Sequence, residues 1–349
     1  MQYRRLGNTE LSVSEIGVGC WAIGGVDWNL DIEMGWGGTN DEDALEGLFR
    51  AYELGANHYD TADVYGHGHS ERLIGSFLKG VSRESVVIGS KVGYFKGTAS
   101  SAYDPIHMRH QLEMSLHNLG IDYLDIYYFH NYNFGQHDEY LEDAIDTMRR
   151  FQDEGLIRFI GQRGPHTYAP DRLQKNIKPI DEYQRFQYIA QLVQPDVIQI
   201  RYNMISPTYD SLERDIFGWA EVRQVGIVIN KPLAQGLLLN KYSHDNPPQF
   251  QAGDHRNRKK WFQSSGLQVL RRQLLILEDR FGQRPEDLVR ISLQYCLNRS
   301  RQAVVVTGFR NAQQIEMNLL ASGNSLSFRD IEYIRNVMTG INEEIGTFF

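Results

Sequence analysis

The chain is poor in cysteine. Only Cys20 and Cys296 occur in 349 residues, which excludes a disulfide framework and points to a reducing compartment. It also lacks any apolar run of about 18 residues, so no membrane-spanning helix is expected. The first residues, Met1-Gln2-Tyr3-Arg4-Arg5, carry no apolar core of the signal-peptide kind, and a cytoplasmic location is expected. No basic block is present, and 36 Lys and Arg stand against 44 Asp and Glu. That balance argues against a nucleic-acid or anionic-membrane partner, while leaving room for a local basic pocket. Internal repeats, low-complexity tracts and linkers are missing too, so residues 1–349 are expected to form a single domain.

What is there is alternation. Short apolar runs rich in β-branched and aromatic residues recur at Ser14–Gly19, His58–Asp60, Ser85–Ser90, Tyr123–Phe129, Ile157–Gly161, Asp196–Tyr202, Gly226–Asn230 and Ala303–Thr307. Near-continuous runs such as Val304-Val305-Val306 suit parallel strands buried on both faces. Helical periodicity fills the intervals, as in Asp41–Leu54, Pro105–Leu119 and Leu141–Glu154, each followed by a glycine. This pattern predicts an α/β fold with right-handed crossovers, and eight strands are the number a closed (β/α)8 barrel needs. Two long irregular stretches, Trp28–Thr39 and Ser243–Trp261, follow the first and seventh strands. Both would open on the C-terminal face, where sites of such barrels lie.

Several motifs mislead. Gly17-Val18-Gly19-Cys20-Trp21-Ala22 matches a dinucleotide fingerprint in spelling, but Ile23-Gly24-Gly25-Val26-Asp27 continues as a loop where that motif needs a helix N-terminus. His58, His67 and His69 lie near one another in sequence without Cys, Asp or Glu at ligand spacing, so no metal is expected. Neither Ser70 nor Ser206-Pro207 has the context of a nucleophile elbow.

The chemistry-bearing residues stand at strand ends. Strand two ends at Asp60 and runs into a glycine-containing loop bearing Tyr65. Strand three ends in Ser90-Lys91, where an ammonium needs a partner because burying it alone is costly. Strand four ends at His130. Each alone could be a capping, rim or core residue; together at neighbouring strand ends they suggest one cleft.

Four segments resemble the aldo-keto reductase family: Tyr3–Thr9 with Ser12–Gly19, Asp60–Gly66 with Glu71–Gly75, Leu119–Tyr127, and Pro232–Leu238. The resemblance runs from Tyr3 to about Met338. It implies a (β/α)8 TIM barrel with an N-terminal β-hairpin and long loops on the C-terminal face. It further implies an NADP(H)-dependent oxidoreductase, with NAD(H) as the alternative, acting on an aldehyde, ketone or sugar. Tyr65 would be the proton donor, Lys91 would lower its pKa, Asp60 would hold Lys91, and His130 would orient the substrate oxygen. A non-enzymatic alternative with the same fold is a nicotinamide-binding regulatory subunit like the potassium-channel β subunits. A homo-oligomer is compatible with either.

The same resemblance assigns the cofactor site to Trp21, Gly24, Arg163, Gln199, Asn230, Lys231, Pro232, Leu233, Gln235, Gly236, Gly308, Arg310, Gln314 and Asn318. Gln199 would meet the nicotinamide carboxamide, Arg310 and Gln314 the 2′-phosphate side, and Asn318 the adenine. Three departures stand out. Gly161-Gln162-Arg163-Gly164 replaces the usual Gly-Val-Ser-Asn, Asn230-Lys231 stands where an aromatic commonly stacks, and Met317 replaces a frequent glutamate. Arg163 and Lys231 would either touch the cofactor or add positive charge for an anionic or hydroxylated substrate. Trp21, Trp28, Trp36 and Tyr94 are candidates for the substrate walls.

Overall fold

The structure, a computed structural model, describes residues 1–165, 181–206 and 215–345. Pro207 lies outside them. A hairpin, β1 (Tyr3–Arg5) and β2 (Ser12–Ser14), precedes the barrel. Eight parallel strands then close on themselves: β3 (Ile16–Gly19), β6 (His58–Asp60), β7 (Val87–Val92), β8 (Leu124–Phe129), β9 (Ile157–Arg163), β10 (Val197–Arg201), β11 (Gly226–Asn230) and β12 (Ala303–Gly308), with β12 pairing β3. Each is followed by helix among the described residues, from Asp41–Glu53 after β3 to Ala312–Leu319 and Phe328–Ile345 after β12.

Local chemistry sets the helix boundaries. Asn40 caps Asp41–Glu53 by accepting from the Asp43 N–H. Asp104 does the same for Pro105–Leu119, whose Pro at the first position costs no hydrogen bond. Inside the barrel, Ile126, Tyr128, Val197, Val228 and Val304 pack with Leu6, Leu11 and Val13 of the hairpin segment, which therefore plugs the N-terminal end. Gly7, at φ +53°, makes that seal possible, since a Cβ there would come within 2.3 Å of the Gly226 nitrogen. With the bottom closed, the cavity opens on the C-terminal face.

Two expectations shift in detail. Strand three spans Val87–Val92 rather than Ser85–Ser90, because Arg83–Ser85 form a single helical turn; Lys91 is therefore inside the strand. The Trp28–Thr39 stretch is not wholly irregular, since β4 (Trp28–Asn29) and β5 (Ile32–Glu33) pair antiparallel within it. It is tied to the loop after β11, where the His255 N–H donates to the Gly35 carbonyl at 3.0 Å and Asp254 accepts from the Gly37 N–H at 2.8 Å.

Candidate active site

Three neighbouring strands bring the four strand-end residues together. Asp60 pairs in register with Gly89 of β7, and Lys91 with Tyr128 of β8, two residues before His130. Lys91 is fully buried, and its Nζ donates to both Asp60 oxygens at 2.9 Å and to the Thr61 carbonyl. The ammonium also lies 5.0 Å from the centroid of the Tyr65 ring. His130 sits edge-on to Tyr65 and Tyr94, with ring centroids at 6.0 and 4.6 Å, and its Nδ1 finds no protein partner among the described residues. Asp60, Tyr65 and His130 line one cavity of about 470 Å³ at the barrel mouth, and Lys91 lies beneath its floor.

Burial dominates the titration of this group. Burial, and then the Asp60 charge, hold the Tyr65 hydroxyl well above the usual tyrosine range, with Arg163 pulling the other way. The Lys91 ammonium pairs with Asp60 and lies over the face of the Tyr65 ring. Lys91 itself is pushed down by burial and held up by Asp60. Burial, then Lys91, Arg163 and Lys231, push His130 well below the ordinary histidine range, so its ring is neutral at pH 7.

The floor differs from the simple expectation as well. Strand β9 continues to Arg163, which pairs in register with Gln199. Gln199 donates to Asp60 Oδ1 at 2.7 Å and accepts from Arg163 Nη1 at 2.7 Å. Asn230 lies against both Gln199 Oε1 and the Arg163 guanidinium. A continuous polar chain thus runs Lys91–Asp60–Gln199–Arg163, and in this state the Gln199 amide is engaged at both ends. The Tyr132 hydroxyl donates to the Arg163 carbonyl and fixes its backbone.

The remaining expected contacts fall around the same cavity. Trp21, Lys231, Pro232, Leu233, Gln235 and Gly236 line it, as do Gly308, Arg310, Gln314 and Asn318. Gly24 does not; it packs against the Tyr65–Gly66 backbone, where a Cβ would come within 2.9 Å of the Tyr65 carbonyl carbon. Trp36 and Tyr94 join the wall, whereas Trp28 is exposed and packs on Gly253. Sequence reasoning missed Met34, Lys241 and Arg256. Arg256 had one signal, the long polar stretch Ser243–Trp261 after strand seven, whereas Lys241 lies just before it. Arg256 is held by Asp254 at 2.5 Å and covers Trp36 with its guanidinium 4.1 Å from the ring centroid. Partial burial, with Arg310 and Arg256 nearby, pushes Lys241 down to about 8.

Only the short turn Ala22–Gly24 follows the Gly17–Ala22 fingerprint. His67 pairs with Asp27, His69 with Asp41, and no cluster among the described residues could hold a metal. Also among them, no helix is long and apolar enough to cross a membrane.

The cavity's donor set suits a polyanionic dinucleotide. Five cations line it (Arg163, Lys231, Lys241, Arg256 and Arg310), of which Arg256 is paired with Asp254, and the one lining carboxylate, Asp60, is paired with Lys91. At Gly308 the nearest atom to an added Cβ would be 3.9 Å away, leaving backbone open to close approach.

Comparison with known proteins fits this geometry. The sequence model of the aldo/keto reductase family matches residues 15–338, and the chain belongs to that family of NAD(P)H-dependent oxidoreductases. It is 26% identical over 324 residues to L-galactose dehydrogenase of Arabidopsis thaliana, covering 92% of this chain and 88% of the relative. It is 25% identical over 345 residues to the NADH-specific methylglyoxal reductase of Escherichia coli, covering 95% and 97%. Among solved structures, glycerol dehydrogenase from Gluconobacter oxydans superposes with a TM-score of 0.75 at 22% identity, over 97% of this chain and 95% of that one.

Proposed function

We propose that the protein reduces an aldehyde, ketone or ketosugar with NADPH, using Tyr65 as the proton donor. The observation that carries this is the Lys91–Asp60 pair buried beneath a protonated Tyr65, with neutral His130 opening onto the same cavity.

When bound, the reduced nicotinamide supplies a hydride to the carbonyl carbon. The chain's own residues handle the oxygen. His130 is uncharged, so it can donate a hydrogen bond and orient the carbonyl without adding a second acid. Tyr65 gives its proton as the C=O bond opens and negative charge gathers on oxygen, which leaves a phenolate and an alcohol. The Lys91 ammonium and the Arg163 guanidinium then meet the phenolate, while Asp60 keeps Lys91 charged in a site that disfavours charge.

NADP(H) is preferred in this reading because Arg310, Lys241 and Arg256 form a basic group at the adenosine end, next to Gln314 and Asn318. We also read residues 1–349 as one domain working in the cytoplasm. Titration of intrinsic fluorescence with NADPH and NADH, followed by turnover on a carbonyl panel, tests the proposal. Binding of neither nucleotide would end it. Tyr65→Phe is expected to abolish reduction while leaving NADPH affinity within a few-fold, and wild-type turnover in that variant would remove Tyr65 from its role.

A further inference from the structure

The cations around the cavity form two groups. Lys241 feels Arg310 and Arg256; His130 feels Lys91, Arg163 and Lys231. The first group faces the Gly308–Asn318 segment and suits cofactor phosphates. In the second, Asp60 neutralises Lys91, but Arg163 touches only uncharged acceptors among the described residues, namely Gln199 Oε1 at 2.7 Å and, with its amide turned, Asn230 Oδ1. Lys231 holds its Nζ 4.9 Å from the Trp21 ring centroid, and that ring lies 6.0 Å from Tyr65. A partly buried guanidinium held on neutral amides has given up some of its water without gaining a counter-charge. The reduced nicotinamide ring is itself uncharged and does not answer that excess. The surplus therefore faces whatever sits beside Tyr65 and His130.

We infer that Arg163, with Lys231 flanking it, is an oxoanion-recognition site, and that the substrate is a carbonyl compound bearing a carboxylate or phosphate a few bonds from the reacting carbon. The inference rests on the proposed role of Tyr65 and His130 as the carbonyl site. The planar, five-donor guanidinium matches carboxylate and phosphate oxygens in pairs, and Gln199 and Asn230 hold it in orientation without cancelling its charge. Trp21, Trp36 and Tyr94 supply apolar surface for a short carbon chain between the two polar ends.

Two measurements on the full-length protein test this. In the first, NADPH-dependent kcat/KM is compared within the pairs succinic semialdehyde and butanal, and glyceraldehyde 3-phosphate and glyceraldehyde. The anionic member is expected to lead by about 10- to 100-fold, the size of a charge-assisted hydrogen-bond pair. Arg163→Gln should collapse that ratio toward one, and Arg163→Lys should restore part of it. The lead in the better pair shows whether carboxylate or phosphate is preferred. Equal rates within both wild-type pairs, or an equal loss for both members in Arg163→Gln, would overturn the inference. In the second, acetate and inorganic phosphate are titrated against tryptophan fluorescence with NADP+ saturating. Saturable binding that weakens at least tenfold in Arg163→Gln supports the site, and binding indifferent to Arg163 refutes it. Absence of turnover on every carbonyl would fail the reductase reading alone, leaving the titration to decide the anion site. Should Arg163→Gln not fold, Arg163→Lys and the fall of wild-type kcat/KM for the anionic members with rising salt carry the same decision.

Discussion

Removing the carboxylate beneath Tyr65 should cost the fold as much as the chemistry. Lys91 is 0% exposed and Asp60 4%, so the pair sits where water can replace neither partner. Asp60→Asn leaves the ammonium with the Thr61 carbonyl and a neutral amide oxygen in place of two carboxylate contacts at 2.9 Å. Breaking a buried pair from one side typically costs about 3–5 kcal/mol, because one charge is left uncompensated. With an unfolding entropy of about 2.1 cal/mol/K per residue, a chain of 349 residues has roughly 0.7 kcal/mol/K, so the melting temperature should drop by about 4–7 °C. Lys91→Met strands the other charge, leaving Asp60 only the Gln199 amide, and should cost a similar amount. The double variant Asp60→Asn, Lys91→Met contains no orphaned charge. Its loss should therefore fall short of the sum of the single losses by at least about 2 kcal/mol. Urea unfolding of the four proteins, followed by circular dichroism at pH 7, closes the cycle. Strictly additive losses, or an Asp60→Asn protein as stable as wild type, would show that the pair is not the coupled buried unit described above.

Other perturbations follow from the same packing. Burial, with Glu71 close by, pushes Asp63 up to about 8, whereas an unfolded aspartate titrates near 4. A carboxyl raised on folding contributes stability below about pH 4 that is lost as pH rises through about 8, so Asp63→Asn should gain on wild type across that window in urea unfolding. A constant difference between pH 5 and pH 8.5 would contradict the protonated state. His58, pushed down to about 4 by burial, works in the opposite limb: its contribution is lost as pH falls from about 6.5 toward about 4, and His58→Gln should flatten that acid slope. Gly47 in helix Asp41–Glu53 faces Phe309, and an added Cβ would come within 2.3 Å of the ring. Where Gly→Ala in an exposed helix stabilises by about 1 kcal/mol, here it should destabilise by about 1–3 kcal/mol in thermal unfolding. Finally, Arg310→Ala should weaken NADPH more than NADH by about tenfold, read from fluorescence titrations, and an equal change for both would detach Arg310 from the 2′-phosphate.

The barrel was legible because its signals are local. Each strand is a short apolar run, each helix carries its own periodicity, and caps such as Asn40 and Asp104 act within four residues. The strand-end residues were legible for a related reason: in a parallel barrel the end of every strand opens on the same face, so Asp60, Lys91 and His130 could be grouped without knowing any contact. Less visible was what depends on depth. Nothing in Lys91-Val92 says that the ammonium is wholly enclosed, and nothing in Val64-Tyr65 says that burial holds the tyrosine hydroxyl up. Lys241 and Arg256 were hidden differently. Arg256 lines the cavity next to Asp254 and His255, which dock on Gly37 and Gly35, and such long-range docking has no local spelling.

The floor of the cavity shows how separate oddities become one feature. Gln162-Arg163-Gly164 and Asn230-Lys231 are far apart in sequence and look like two unrelated departures from the family pattern. The parallel register places Arg163 beside Gln199, and β10 carries Gln199 beside β11, where Asn230 ends the strand. An arginine at 163 needs acceptors, and Gln199 and Asn230 are the neutral groups within reach. With its amide turned, Asn230 offers the guanidinium an acceptor that an aromatic at 230 would not, which links the two departures. Because both acceptors are amides rather than carboxylates, they orient the charge without quenching it. An arginine meant only to fill space would be better served by an aspartate beside it; one held on amides keeps its charge uncancelled for a ligand.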